Sequence, residues 1–282
     1  MISERGDFPP VLTRKAGITL QGYNKWFPYG TKMDQAGIGK LFCFHHAGGN
    51  ASAFRSWALS KLPVAFIPVE LPGHGRRIAE SYAEDMDVLA EDIAEAIYRQ
   101  WEGEPIGLFG HSMGSVVAFK TTWILEQKYH LFPELLVAAG RHAPPLPDPV
   151  TFRSDMDDDA LVEELIRMGG TPKEILENRE FLNFLLPTIR GDYRLHENFR
   201  YHDEMIKTPI VAHTGLEDHD APESLVQPWA KMTTGDFFYQ EFPGDHFFLY
   251  DAENHYPSEL VHLFHRYASG KSRPLSPNKE MA

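Results

Sequence analysis

The sequence predicts an α/β fold, a mostly parallel central sheet flanked by helices, with a helical lid inserted into it. Apolar runs along the chain are continuous rather than alternating with polar residues, as expected of strands buried on both faces. Helical patterns separate these runs, which is the βαβ rhythm of a parallel sheet. The rhythm lapses only between residues 147 and 207, where helical stretches occur without a strand pattern.

Residues 1–37 mix Pro, Gly, Lys and Asp without sustained periodicity. They are expected to form a leader, packed over the body through Trp26, Phe27 and Tyr29, with the α/β domain spanning residues 38–282. Residues 40–45 and 64–70 are the first strands, although Pro68 counts against the second because proline cannot donate to a ladder. Over residues 85–101, Met86, Leu89, Ala90, Ile93, Ile97 and Trp101 recur at the spacing of one helix face. Residues 105–111 then predict a strand and 115–129 a helix. Residues 135–139 are a continuous apolar run bounded by Pro133 and Gly140. The block over residues 147–207 contains amphipathic stretches such as 161–168, punctuated by Pro172, Pro187 and Gly191. A helical block between two strands is the form expected of a lid over the sheet's carboxyl edge. Residues 209–214 and 236–242 close the sheet, each followed by a helical pattern.

Composition narrows the class of function. At 282 residues, 43% hydrophobic and 24% charged, the chain is globular in character and long enough to bury a large core. Its net charge of −13 argues against duplex nucleic acid, whose phosphates call for clustered Lys and Arg. No run approaches the roughly 18 apolar residues of a membrane span, and the N-terminus lacks a signal peptide's apolar centre. Cys43, the single cysteine, can form neither an intrachain disulfide nor a cysteine zinc cluster. A soluble, reduced, cytoplasmic monomer is expected.

Gly110-His111-Ser112-Met113-Gly114 is a G-x-S-x-G motif set between an apolar strand and an apolar helix. In that setting the serine occupies a tight elbow, with its hydroxyl at a helix N-terminus where backbone N–H groups favour developing negative charge. A serine hydroxyl needs a base, itself oriented by a carboxylate, and in this architecture the chain order is Ser, acid, His. The strand ending near Thr214 runs into Asp218 and Asp220, with Asp218 the first choice, Asp220 the second, and Glu217 next in line after both. The last strand runs into His246, which makes it the base among 14 histidines; His142 precedes every plausible acid. The loop after the first strand, His45-His46-Ala47-Gly48-Gly49-Asn50, can offer a backbone N–H to an oxyanion. Ala47 is the expected donor there, paired with Met113 after the nucleophile. Cys43 falls within a strand, where a buried apolar role is expected, and adjacent His45 and His46 point to opposite faces, which disfavours a metal site.

Several local patterns together resemble the type II thioesterases of nonribosomal peptide and polyketide synthesis, members of the α/β-hydrolase superfamily. They are His46-Ala47-Gly48-Gly49 with Phe54-Arg55-Ser56-Trp57, the stretch from Leu71 to Arg77, the serine motif, and Arg141-His142-Ala143-Pro144. Residues 165–172 and 186–192 look like the family's lid signatures, and residues 244–249 close the series. The likeness runs from about Trp26 to Tyr267, departing at His45, His46 and Asp245. It implies a stand-alone hydrolase that frees misprimed or stalled acyl groups from the phosphopantetheine arms of acyl or peptidyl carrier proteins. Carried over by motif, Ser112 is the nucleophile, Asp218 the orienting acid and His246 the base, with Ala47 and Met113 as oxyanion donors. No metal or redox cofactor is needed. Arg76, Arg77 and Arg141 are the cations expected at the substrate or carrier. Three other readings stand beside this one: a general carboxylesterase or lipase, a catalytically dead receptor, and a cyclising release domain, which would normally follow a carrier segment.

Overall fold

Strand side chains alternate between two cores. The computed structural model describes residues 24–32, 37–147 and 154–270. Its strands are β1 (Gly39–Phe44), β2 (Val64–Pro68), β3 (Ile106–His111), β4 (Leu135–Ala139), β5 (Ile210–Gly215) and β6 (Phe237–Phe242). They form one six-stranded sheet in the order β2-β1-β3-β4-β5-β6, every neighbouring pair parallel. Phe42, Leu108, Leu136 and Ala212 point to one face, Leu41, Phe109, Val137 and Val211 to the other. Period-two alternation in strands that are apolar throughout therefore supplies a core on each side.

Helices α1 (Arg55–Ala58) and α8 (Tyr256–Ala268) cover one face, through Trp57, Tyr256 and Phe264. Helices α2 (Met86–Gln100) and α3 (Met113–Tyr129) cover the other. The buried stripe of α2 is Met86, Leu89, Ala90, Ile93, Ala94 and Ile97, and the Asp85 carboxylate caps its first turn by accepting from Asp87 and Val88 N–H. Trp26 and Phe27 are buried against this face, with the Phe27 and Phe42 rings 5.4 Å apart. Residues 1–23 and 33–36 of the expected leader lie outside the described residues. Pro68 is accommodated because β2 lies at the sheet edge and ends there. At the other edge, β6 is only half-buried despite its aromatic sequence.

Between β4 and β5 the described residues form α4 (Asp158–Met168), α5 (Lys173–Leu176) and α6 (Arg179–Asn198). Residues 148–153 of the expected lid lie outside the described residues. These helices own a small separate core of Leu161, Leu165, Leu186 and Ile189, and leave Phe181 and Phe184 exposed. Short helix α7 (Glu223–Val226) follows β5. The order 2-1-3 places a reversal at β1 and β3, so the loops leaving their carboxyl ends diverge to opposite sides of a crevice. The site described next sits there.

Candidate active site

Ser112 stands between β3 and α3 with φ 54° and ψ −122°. A non-glycine residue rarely adopts such a backbone, and it costs of the order of 1–3 kcal/mol wherever the surroundings enforce it. The surroundings here are two close glycines. A Cβ on Gly110 would lie 2.2 Å from the Gly114 carbonyl oxygen, and one on Gly114 would lie 2.3 Å from the Phe44 carbonyl oxygen. The Ser112 N–H donates to the Ala139 carbonyl at 2.8 Å, and Ser115 Oγ donates to the Gly110 carbonyl at 2.9 Å, which locks the elbow. Its side chain lines a cavity under the lid together with Ala47, Met113 and His246.

His246 and Asp218 meet from the ends of β6 and β5. His246 Nδ1 lies 2.9 Å from Asp218 Oδ2, and both side chains are almost fully buried. The carboxylate's other oxygen, Oδ1, accepts from the Asp220 and Ala221 N–H groups at 3.0 and 3.1 Å. Burial alone would raise the Asp218 carboxyl; the His246 bond and charge, with those two amides, outweigh it and hold it below the ordinary value. Asp220 turns elsewhere, to Arg167 of α4 at 2.8 Å. His246 Nε2 is buried and has no protein partner among the described residues. With Nδ1–H given to the carboxylate, Nε2 carries the lone pair that a base requires.

Beside the serine, the cavity wall presents backbone. Ala47 and Met113 both line the cavity, and neither N–H donates to a protein acceptor among the described residues. Met113 opens α3, so its N–H also carries the favourable end of the helix dipole. A strained serine, a buried His–Asp pair and two open amides can perform acyl transfer.

Residues 39–267 match the family model described as a thioesterase domain. The chain belongs to the thioesterase family. It is 37% identical to "Thioesterase PikA5" of Streptomyces venezuelae over 84% of this chain and 85% of that one. It is also 37% identical to "Linear gramicidin dehydrogenase LgrE" of Brevibacillus parabrevis, over 76% of this chain and 82% of the relative. Among solved structures, the type II thioesterase BorB from the borrelidin biosynthetic cluster superimposes with a TM-score of 0.77 at 29% identity. That match covers 87% of this chain and all of BorB. The resemblance carried by the motifs is borne out.

Sequence reasoning missed the histidine shell of this thioesterase. His111, the residue before the serine, donates from Nε2 to the His246 carbonyl at 2.8 Å and so fixes the backbone of His246. Its place inside the G-x-S-x-G motif was the only signal. His46 lies edge-on to His111, with ring centroids 5.3 Å apart, and enters the cavity wall. Burial pushes His45, His46 and His213 down from the ordinary 6.5, to about 3, about 4 and about 3, and pushes His111 well down too. The neighbouring His74 adds to the effect at His45, and His246 adds to it at His46 and His111.

These neutral histidines set the acid stability. Below 6.5 the unfolded chain takes up protons that the folded chain refuses, so stability present above that pH is lost as pH falls. Each such histidine removes about 1.4 kcal/mol per pH unit once well below its unfolded value. Asp218, held low, adds its loss only as pH falls through its depressed value. His74 opposes them. Burial would lower it, but Asp192, the Pro72 carbonyl and Glu70 raise it, so its contribution is full below 6.5 and fades as pH rises through the raised value. The melting temperature should therefore fall steadily from about pH 7 to about pH 5. A flat or rising curve would overturn the neutral assignment.

The arginines divide. Arg77 is corrected: it is 3% exposed and cannot serve a docking surface. Its guanidinium lies 4.0 Å from the Trp26 ring centroid, donates to the Glu70 carbonyl at 3.0 Å and grips both Glu80 oxygens. Arg76 is exposed, its guanidinium near Tyr29. Arg141 lines the cavity beside His196 of α6. Cys43 is fully buried within β1, and burial pushes its thiol up, which suits packing and not attack.

Proposed function

We propose that this thioesterase is a stand-alone, type II enzyme of the cytoplasm that hydrolyses acyl, aminoacyl or peptidyl thioesters on the phosphopantetheine arms of carrier proteins. It would thereby edit a nonribosomal peptide or polyketide assembly line. The likeness to BorB along that protein's whole length is the observation that carries this reading.

In this reading Ser112 Oγ attacks the thioester carbonyl while His246 Nε2 takes its proton. Ala47 and Met113 N–H groups hold the oxyanion, and Asp218 keeps Nδ1–H in place and stabilises the imidazolium. The C–S bond then breaks. A thiol with a reference pKa near 8.5 leaves readily, so little is asked of protonated His246. His246 gives that proton to the departing sulfur and regains its Nε2 lone pair; it then deprotonates the water that attacks the acyl-serine, and returns the proton to Ser112 Oγ as the acid leaves. Helices α4 to α6 act as the gate, and Arg141 and Arg76 are the cations offered to the arm and the carrier.

The dehydrogenase in LgrE's name is not carried over. The turn after β1, from His45 to Asn50, lacks the G-x-G-x-x-G spacing that cradles a dinucleotide, and the turn after β3 is a serine elbow.

The same acyl group should be hydrolysed with a kcat/KM at least about tenfold higher from a carrier protein than from coenzyme A or a simple alcohol, because remote binding energy is realised at the reacting carbonyl. Assays of the three substrates side by side measure this. Equal or better turnover of the simple ester would hand the site to a general carboxylesterase.

A further inference from the structure

Asp192, His74 and Gly48 come from three distant parts of the chain and meet beneath the lid. Asp192, on α6, is 2% exposed, as is His74. One carboxylate oxygen, Oδ2, accepts the Gly48 N–H at 2.7 Å and lies 3.0 Å from His74 Nε2. His74 donates its other ring N–H, from Nδ1, to the Pro72 carbonyl at 2.8 Å. A buried carboxylate loses several kcal/mol of hydration unless its partners compensate, and the partners here are one ring and one backbone amide. That amide belongs to the residue after Ala47.

The loop is shaped to accept this contact. Gly48 has φ +77°, and a Cβ there would stand 2.6 Å from Ile189 Cγ1, on the same α6 face as Asp192. The neighbouring Gly49 N–H closes the turn on the His46 carbonyl at 3.0 Å. The helix thus presses and hydrogen-bonds the turn from one side, while β1 holds it from the other.

We propose that Asp192 is a positioning residue for the oxyanion site: by holding the Gly48 N–H it fixes the Ala47–Gly48 peptide, and through the Ala47 Cα it orients the preceding peptide, whose Ala47 N–H faces an oxyanion formed on Ser112. This rests on the acyl-transfer reading above. The chemistry described so far leaves the buried carboxylate without a role, and a plain lid-to-body ion pair would not need its oxygen on a backbone amide of this loop. The same contact couples the lid to catalysis, since α6 cannot move away without releasing the donor loop.

The test compares the full chain with Asp192→Ala and Asp192→Asn. Each is assayed for kcat and KM on a soluble acyl thioester, for the rate of Ser112 modification by a fluorophosphonate, and for melting temperature. The fluorophosphonate's phosphoryl oxygen occupies the oxyanion position, so its rate reads the donors without a thioester. Asp192→Ala should lose about tenfold to a hundredfold in kcat and in labelling rate, with KM within about twofold. Asp192→Asn, whose amide oxygen can still accept the Gly48 N–H, should recover most of both. An alanine variant that melts earlier but keeps the parental kcat would make Asp192 purely structural and overturn the proposal. So would a loss confined to KM, or equal losses in both variants. Should the alanine variant not fold, Asp192→Ser, whose hydroxyl stops short of the amide, is held to the same expectation. Failure of the parent itself to be labelled would overturn the Ser112 reading instead, and is seen before any variant is made.

Discussion

Replacing Ser112 by alanine should lower kcat/KM for thioesters by at least about a thousandfold and leave the fold intact. The serine holds φ 54° and makes no side-chain cap to α3, so the hydroxyl supports no helix hydrogen bond. Alanine keeps the Cβ and meets the same backbone strain. Its melting temperature should stay within a few degrees of the parent. Ser112→Gly is the companion variant: it should be equally inactive yet more stable, by about 1 kcal/mol, because glycine adopts positive φ without penalty. Hydrolysis assays with melting curves read both effects. Activity within about tenfold of the parent would remove Ser112 from the role of nucleophile.

Asp218→Asn should cost about four orders of magnitude in kcat, and Asp220→Asn less than about threefold. The reason is tautomeric. Asp218 accepts only, so it holds the His246 proton on Nδ1 and leaves the Nε2 lone pair for serine. An asparagine can turn its NH₂ to the ring, which moves the proton to Nε2 and removes the base. Asp220 loses a partly exposed ion pair with Arg167, worth about 0–1 kcal/mol to stability. Steady-state rates of the two variants decide. Greater damage from Asp220→Asn would move the acid two residues along.

The difference between those aspartates shows where sequence reading stops. Both follow β5 within a few residues, and chain order admits either. Only the turn geometry, in which the Asp220 and Ala221 amides close on Asp218 Oδ1, aims one carboxylate at His246 and the other at the lid. Arg77 shows the same limit. The sequence offers it as a cation for the substrate or carrier, yet Trp26 and Glu80, one from before the sheet, draw it inside.

What the sequence by itself determined is local: continuous apolar strands, the α2 stripe, and a serine flanked by glycines between a strand and a helix. These are legible because period and backbone conformation depend on neighbours a few residues apart. The tertiary structure alone decided which groups meet across the crevice. His111 reaches the His246 carbonyl 135 residues away, and Asp192 reaches Gly48 across 144. Such contacts leave no period in the chain. A hydrogen bond needs its donor and acceptor about 3 Å apart, and only the packing of the lid against the sheet edge sets that distance.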